Sequence, residues 1–278
     1  MHKRNRIIVV TIALVLTGVL LMQPIKGLVN DEDETAENGT SSGTTVSFLS
    51  ESQRAKQGLN PSIIQDITDL EAALANAGSE QERVTFLEEL AEMWDSVEKH
   101  SPVGFSYEEL ALITNSPEHW LKAGNAFRAA FNAIQDTSVS NPLTAKSIHA
   151  YQQVLEQDPE NLDAKAGLGA AYVGGSANPM AGITLLQEVV RENPKHLDAN
   201  KSLGLFSMQS RQFDKAIDRF LTVVELSPDA ESYFYLATSY ENIGLKKEAV
   251  AAFEKSKQLA ADPTLNQFID RKIEELTK

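Results

Sequence analysis

The stretch DKAIDRFLTVVELSP, from Asp214 to Pro228, decides the fold. It places a small residue, Ala216, four positions before a large ring, Phe220, and it ends in a proline, which a helix interior does not accommodate. The same order of small residue, large residue and closing proline recurs along the chain at a period of about 34 residues. A period of this length, with room for two helices, indicates a helical solenoid.

Four units with two helices each, helix A and helix B, can be aligned over residues 117–262. The small residues are Gly124, Gly169, Gly204 and Ala237 on helix A, and Ser147, Gly182, Ala216 and Ala249 on helix B. Small side chains let two helix backbones approach closely, so we expect the two helices of each unit to cross at these positions. In the first unit 23 residues separate the two small positions, against 12 in the third unit. This insertion predicts a longer helix A and a loop around residues 136–142.

These residues resemble the tetratricopeptide repeat (TPR) family. The resemblance rests on Leu-Gly in helix A, a tyrosine three residues later (Tyr172, Tyr240), Ala-x-x-x-Phe in helix B and a final proline. It covers about residues 117–263, roughly half of the chain. It implies an all-α fold, a right-handed solenoid of about four helix-turn-helix units, and a concave groove that binds proteins or peptides.

In this family helix A lines the groove, and the register of the small positions gives the groove-facing candidates. They are Asn125, Arg128, Ala170, Val173, Lys201, Leu205, Met208, Phe234, Thr238 and Glu241. For each residue the alternative is packing inside its own unit. The TPR domains that bind a chaperone's C-terminal carboxylate carry a lysine four residues before the asparagine that corresponds to Asn125. Leu121 stands there, so we do not expect that activity.

Two further helical segments flank the four units. Residues 60–116 show apolar stripes at helical spacing and predict an N-terminal helical region with a possible degenerate repeat. Residues 263–278 predict an amphipathic helix. Because the last unit of a solenoid has an apolar face without a neighbour, we expect this helix to act as a cap.

The first 29 residues predict a signal anchor. Residues 1–6 are basic, and residues 7–22 form an uncharged apolar run of 16 residues without a small-x-small cleavage site after it. The basic flank predicts a cytoplasmic N-terminus and a single pass through the inner membrane, with the TPR units in the periplasm. A cleaved signal peptide is the alternative. Residues 30–59, acidic and then rich in Ser, Thr and Gly, predict a flexible tether.

Composition excludes several classes of function. The net charge is −14, and since the first 30 residues carry +4, the rest carries −18, which argues against nucleic-acid binding. There is no cysteine, and no histidine pair has the spacing of metal ligands, so we expect no metal, cofactor or catalytic site. The sequence therefore predicts a non-catalytic, membrane-tethered scaffold that assists envelope protein assembly, folding or secretion. The alternative is a cleaved, soluble periplasmic peptide-binding regulator or sensor subunit.

Overall fold

A computed structural model describes residues 46–175 and 178–278, and all regular structure in these ranges is helical. The thirteen helices of the described residues are α1 (Phe48–Ala55), α2 (Pro61–Ala75), α3 (Glu80–Ser96), α4 (His100–Thr114), α5 (Pro117–Ala133), α6 (Thr137–Gln157), α7 (Leu162–Gly175), α8 (Pro179–Glu192), α9 (Leu197–Gln209), α10 (Phe213–Leu226), α11 (Ala230–Asn242), α12 (Lys246–Leu259) and α13 (Pro263–Thr277). The predicted all-α repeat architecture is therefore confirmed.

Polar caps and prolines mark where many of these helices begin. The side chain of Asn60 accepts a hydrogen bond from the backbone N–H of Ser62, and Pro61 occupies the first turn of α2. Asp262 caps α13 in the same way, with Pro263 as its first residue. A side-chain oxygen at this position satisfies an N–H group that has no partner inside the helix, and proline lacks the N–H. These local signals divide the chain into short helices of similar length.

The described helices pack in sequence order, each against the next, from α2 to α13. Helices α5 to α12 form the four predicted pairs of helix A and helix B. The apolar stripe of α13 packs on the cluster that contains Phe220, Phe253 and Ile269, with Leu265 and Ile273 at its border. Helix α13 therefore covers the apolar face of the last unit.

The insertion in the first unit lengthens both helices: α5 has 17 residues, as the prediction of a longer helix A requires, against 13 or 14 in the later A helices, and α6 has 21. The loop predicted around residues 136–142 was wrong. Asp136 accepts a hydrogen bond from the backbone N–H of Ser138, and α6 begins directly after it, with Pro142 inside the helix. Val139 and Leu143, four residues apart, are both buried in the core. Burial of these two side chains stabilises the helical conformation, and the one backbone hydrogen bond that Pro142 cannot donate does not offset this stabilisation.

The predicted tether of residues 30–59 differs from the structure in its last part. Helix α1 lies inside this range, and Val46 and Phe48 pack against the apolar core. The remainder of the tether and the predicted anchor, residues 7–22, lie outside the described residues. Among the helices that are described, none is both long enough and apolar enough to span a membrane.

Candidate peptide-binding groove

The A helices form one layer of the repeat region. Helix α7 contacts both α5 and α9, and α9 contacts α11. The B helices α6, α8, α10 and α12 form the second layer, each packed against the A helix of its own unit and, for the first three, that of the next. All the predicted groove residues belong to these A helices.

Close contact between helix backbones explains the small positions in the first two units. A Cβ atom added to Gly169 would lie 2.9 Å from the carbonyl oxygen of Gly182, and one added to Gly182 would lie 2.4 Å from that of Gly169. The hydroxyl of Ser147 donates a hydrogen bond of 2.9 Å to the carbonyl oxygen of Gly124. These distances leave no room for larger side chains.

A buried tyrosine of helix B hydrogen-bonds two predicted groove residues on helix A of the same unit. The Tyr151 ring is fully buried between α5 and α7, where it lies against the backbones of Gly124 and Gly167. Its hydroxyl donates a hydrogen bond of 2.7 Å to Oδ1 of Asn125 and accepts one of 3.2 Å from Nε of Arg128. Burial raises the pKa of the Tyr151 phenol, and the positive charge of Arg128 offsets this only in part. The phenol therefore stays protonated at neutral pH.

Arg128 also reaches across the second unit to the third. Its Nη2 lies 3.5 Å from Oδ2 of Asp198, at the start of α9; the Arg128 side chain is 25% exposed and that of Asp198 is 59% exposed. The pKa of the guanidinium is raised, because burial, which lowers it, is outweighed by Tyr151 and Asp198. An exposed carboxylate at this distance contributes little stability, so a carboxylate of a ligand could replace it on the guanidinium.

Comparison with known proteins agrees with the repeat fold. Residues 207–265 match the model of the tetratricopeptide repeat family. This match supports the resemblance of the chain to the TPR family. The structure of TTC0263, a thermophilic TPR protein in Thermus thermophilus, shares the fold, with a TM-score of 0.53 and 16% identity over 68% of this chain and 98% of that one.

Two other solved structures are more distantly similar to this chain. YrrB, described as a TPR protein with an unusual peptide-binding site, has a TM-score of 0.43 and 18% identity over 72% of this chain and 96% of its own. MamA has a TM-score of 0.44 and 22% identity over 64% of this chain and 92% of its own. No curated protein matches the sequence. Among these similarities, the one to TTC0263 supports the fold, and none assigns a ligand.

The polar candidates of the third and fourth TPR units connect neighbouring A helices. Lys201 on α9 forms an ion pair of 2.6 Å with Glu231 at the start of α11. Glu241 on α11 forms one of 2.9 Å with Lys272 on α13. Glu241 is thus engaged with the last helix, whereas Lys201 remains at the groove surface with about a third of its side chain exposed.

The apolar candidates divide into one exposed residue and three that pack inward. Leu205 is 38% exposed. Val173 lies against Gly182 of helix B in its own unit, and Met208 borders the core cluster of the last units. Phe234 stacks edge to face on Phe253.

Thr238 and Ala170 are the two remaining predicted groove residues. The hydroxyl of Thr238 donates to the carbonyl oxygen of Phe234 one turn earlier, a bond within α11. Ala170 is half-buried on α7. Of the predicted groove residues, Asn125 and Leu205 are therefore exposed on their A helices, and Arg128 and Lys201 are partly exposed.

Sequence reasoning did not assign Tyr151 to the groove. It treated the residue as one of the rings that fill the gap between units, the position that Phe220 and Phe253 occupy later in the chain. The available signal was the hydroxyl itself, because a buried tyrosine needs a hydrogen-bond partner that a phenylalanine does not. Gly167 gave a second signal, since its lack of a side chain makes room for the ring.

Proposed function

We propose that this protein is a non-catalytic TPR scaffold that is tethered to the inner membrane and binds other proteins outside the cytoplasm through its groove. The TPR fold supports protein or peptide partners as a class. The N-terminal apolar run and its basic flank support the tether and the periplasmic location. A role in envelope protein assembly, folding or secretion follows from the resemblance to anchored bacterial TPR proteins.

The observation that carries this proposal is the arrangement of groups around Leu205 and Arg128. Asn125 and Arg128 are oriented by the Tyr151 hydroxyl, so they present a fixed amide and a fixed guanidinium. Leu205 adds an exposed apolar side chain on the same layer of helices. A few oriented polar groups beside an apolar anchor suit an extended peptide or one face of a helix.

Site-specific photo-crosslinking in intact cells tests the groove. A benzoylphenylalanine at position 205 should give adducts with partner proteins. The same residue at position 221 is the matched control, because Leu221 is 44% exposed and lies on helix B of the same unit. Equal adducts at both positions, or adducts at position 221 alone, would contradict binding through the groove.

Membrane extraction separates the tethered scaffold from its alternative, a cleaved and soluble periplasmic peptide-binding regulator or sensor subunit. The full-length chain should stay with the membrane pellet after carbonate treatment, and N-terminal sequencing should find residues 1–6 intact. Release into the soluble fraction with a new N-terminus beyond residue 22 would favour the soluble regulator. Either result leaves the crosslinking test of the groove unaffected.

A further inference from the structure

The turns that join helix A to helix B lie along one edge of the repeat region, which we name the A–B edge. Described turns of this kind are residues 97–99, 134–136, 210–212 and 243–245. Successive units repeat the same order of helices and pack side by side, so their turns follow one another along the same edge. Residues 98–102 and 133–134 line a common cavity of about 240 Å³, which shows directly that the first two of these turns are neighbours.

Helix α1 is fixed to this edge. Its residues Glu51, Arg54 and Ala55 line the same cavity beside the turns. Glu51 is 4% exposed, and its Oε2 accepts a hydrogen bond of 2.7 Å from the hydroxyl of Ser101 in the first turn of α4. A carboxylate near the start of a helix is favoured by the helix dipole. The described chain therefore begins at the A–B edge.

The attachment of α1 limits how far this edge can lie from the proposed anchor. Residues 30–45 connect the predicted anchor region to the described chain, and 16 residues span at most about 55 Å when fully extended.

The turns of the third and fourth units give this edge a surface chemistry that differs from the rest of the protein. Ile243 and Leu245 are exposed on either side of Gly244, whose φ of +79° makes a tight turn. Lys246 and Lys247 follow at once, both exposed, and neither has an ion-pair partner within residues 46–175 and 178–278.

The neighbouring turn adds two more positive charges. Arg211 is exposed at its tip, and Lys215 lies in the first turn of α10. Residues 211–215 and 246–248 together hold four Lys and Arg against two Asp and Glu, whereas the chain as a whole carries −14. The two turns thus combine protruding apolar side chains with a local excess of positive charge.

We propose that the A–B edge of the third and fourth units docks on an anionic lipid surface, with Ile243 and Leu245 at the level of the headgroups and the lysines against the phosphates. This inference rests on the proposed membrane tether, which supplies the bilayer. Apolar tips flanked by cations are the features with which peripheral proteins bind anionic membranes. Docking would hold the solenoid upright on the membrane, with its groove open to the side.

Vesicle co-sedimentation of the protein shortened to residues 43–278 tests the edge without the anchor. These residues form one compact unit that contains all four apolar clusters, and a circular dichroism melt verifies their folding. We expect binding to vesicles of equal parts phosphatidylcholine and phosphatidylglycerol, weaker binding at high salt, and none to phosphatidylcholine alone. No sedimentation with the anionic vesicles would overturn the proposal.

Charge reversal locates the contact. Lys246→Glu with Lys247→Glu should weaken binding by at least roughly 30-fold, since each lysine at an anionic surface contributes about 1 kcal/mol. Acidic residues in the first turn of α12 are compatible with the helix dipole, so folding is retained. The matched control is Arg191→Glu with Lys255→Glu, an equal change of charge at two exposed positions away from the A–B edge, neither of which has an ion pair within residues 46–175 and 178–278. Equal losses in both variants would mean that net charge, and not this edge, drives binding.

The outcomes for the edge and for the anchor can be told apart. In one outcome the full-length chain resists carbonate extraction while the shortened chain does not bind anionic vesicles. That result would support the tethered scaffold and refute the docking edge. A full-length chain that is released by carbonate, with a shortened chain that binds through Lys246 and Lys247, would refute the anchor and retain the edge.

Discussion

A methyl group added at Gly167 should destabilise the protein, because it would collide with the ring of Tyr151. The added Cβ would lie 2.3 Å from Cε1 and Cζ of that ring and 2.7 Å from its hydroxyl oxygen. The ring cannot retreat easily, since it is fully buried and already lies against Gly124 on the neighbouring A helix. The clash must therefore move the ring or separate α5 from α7.

The expected loss in the free energy of unfolding is the sum of three contributions. Forced overpacking of a core costs about 1–3 kcal/mol. Displacement of the Tyr151 hydroxyl weakens two hydrogen bonds, to Asn125 and Arg128, at about 1 kcal/mol each. The higher helix propensity of alanine returns about 1 kcal/mol. Gly167→Ala should therefore lower the free energy of unfolding by about 2 kcal/mol or somewhat more.

The same helix supplies the control. A Cβ at Gly174 would come no nearer than 3.6 Å to any neighbouring atom, so Gly174→Ala should be neutral or stabilising by up to about 1 kcal/mol. Urea unfolding followed by circular dichroism measures both variants. Adding Tyr151→Leu to Gly167→Ala should recover part of the loss, as expected for two residues in contact. Equal free energies of unfolding for the two alanine variants would refute the close packing of the Tyr151 ring between Gly124 and Gly167.

Three further changes have defined outcomes. Ala216→Leu should lower the melting temperature by several degrees through overpacking, because Ala216 is fully buried in the cluster that holds Phe220 and Ala237; an unchanged melt would contradict tight packing at this position. Glu51→Ala should speed hydrogen exchange in residues 48–55 with little effect on α9 to α12, and uniform exchange would show that α1 is not held by this carboxylate. Burial and the hydrogen bond to Glu231 raise the pKa of Tyr235 to about 12, above the usual 10.0. The protonated phenol of Tyr235 therefore makes its full contribution to the free energy of unfolding below pH 10, and this contribution is lost as the pH rises from 10 to 12. Tyr235→Phe should show a shallower decline there in alkaline unfolding curves, and identical curves would contradict this.

The repeat could be predicted from the sequence because its cause is local and recurs. The contact of Gly169 with Gly182 needs small residues on both helices of one unit, and Gly124 and Ser147 make the corresponding contact in the first unit. The caps at Asn60 and Asp262 are equally local, since each side chain bonds an N–H two residues away. The extension of α6 was missed because Pro142 indicates a turn when it is considered apart from its buried neighbours.

The polar cluster around Arg128 could not be predicted in the same way, because its contacts depend on how far each side chain reaches and not on the repeat period. The Tyr151 hydroxyl meets Asn125 and Arg128 across 26 and 23 residues of sequence, and Asp198 joins them from the third unit. The repeat period determines which residues share a layer. It does not determine which side chains are long enough to reach past one unit to the next. That depends on what lies between them.

The second unit decides this for Arg128. The guanidinium of Arg128 on α5 reaches Asp198 on α9 although α7 lies between these two helices. The fourth unit is filled instead, since Phe234 packs on Phe253. A ligand would therefore meet the oriented amide of Asn125 and guanidinium of Arg128 near the first unit and a packed surface near the fourth. Binding energy should concentrate where Arg128 can exchange its internal carboxylate for one from the ligand.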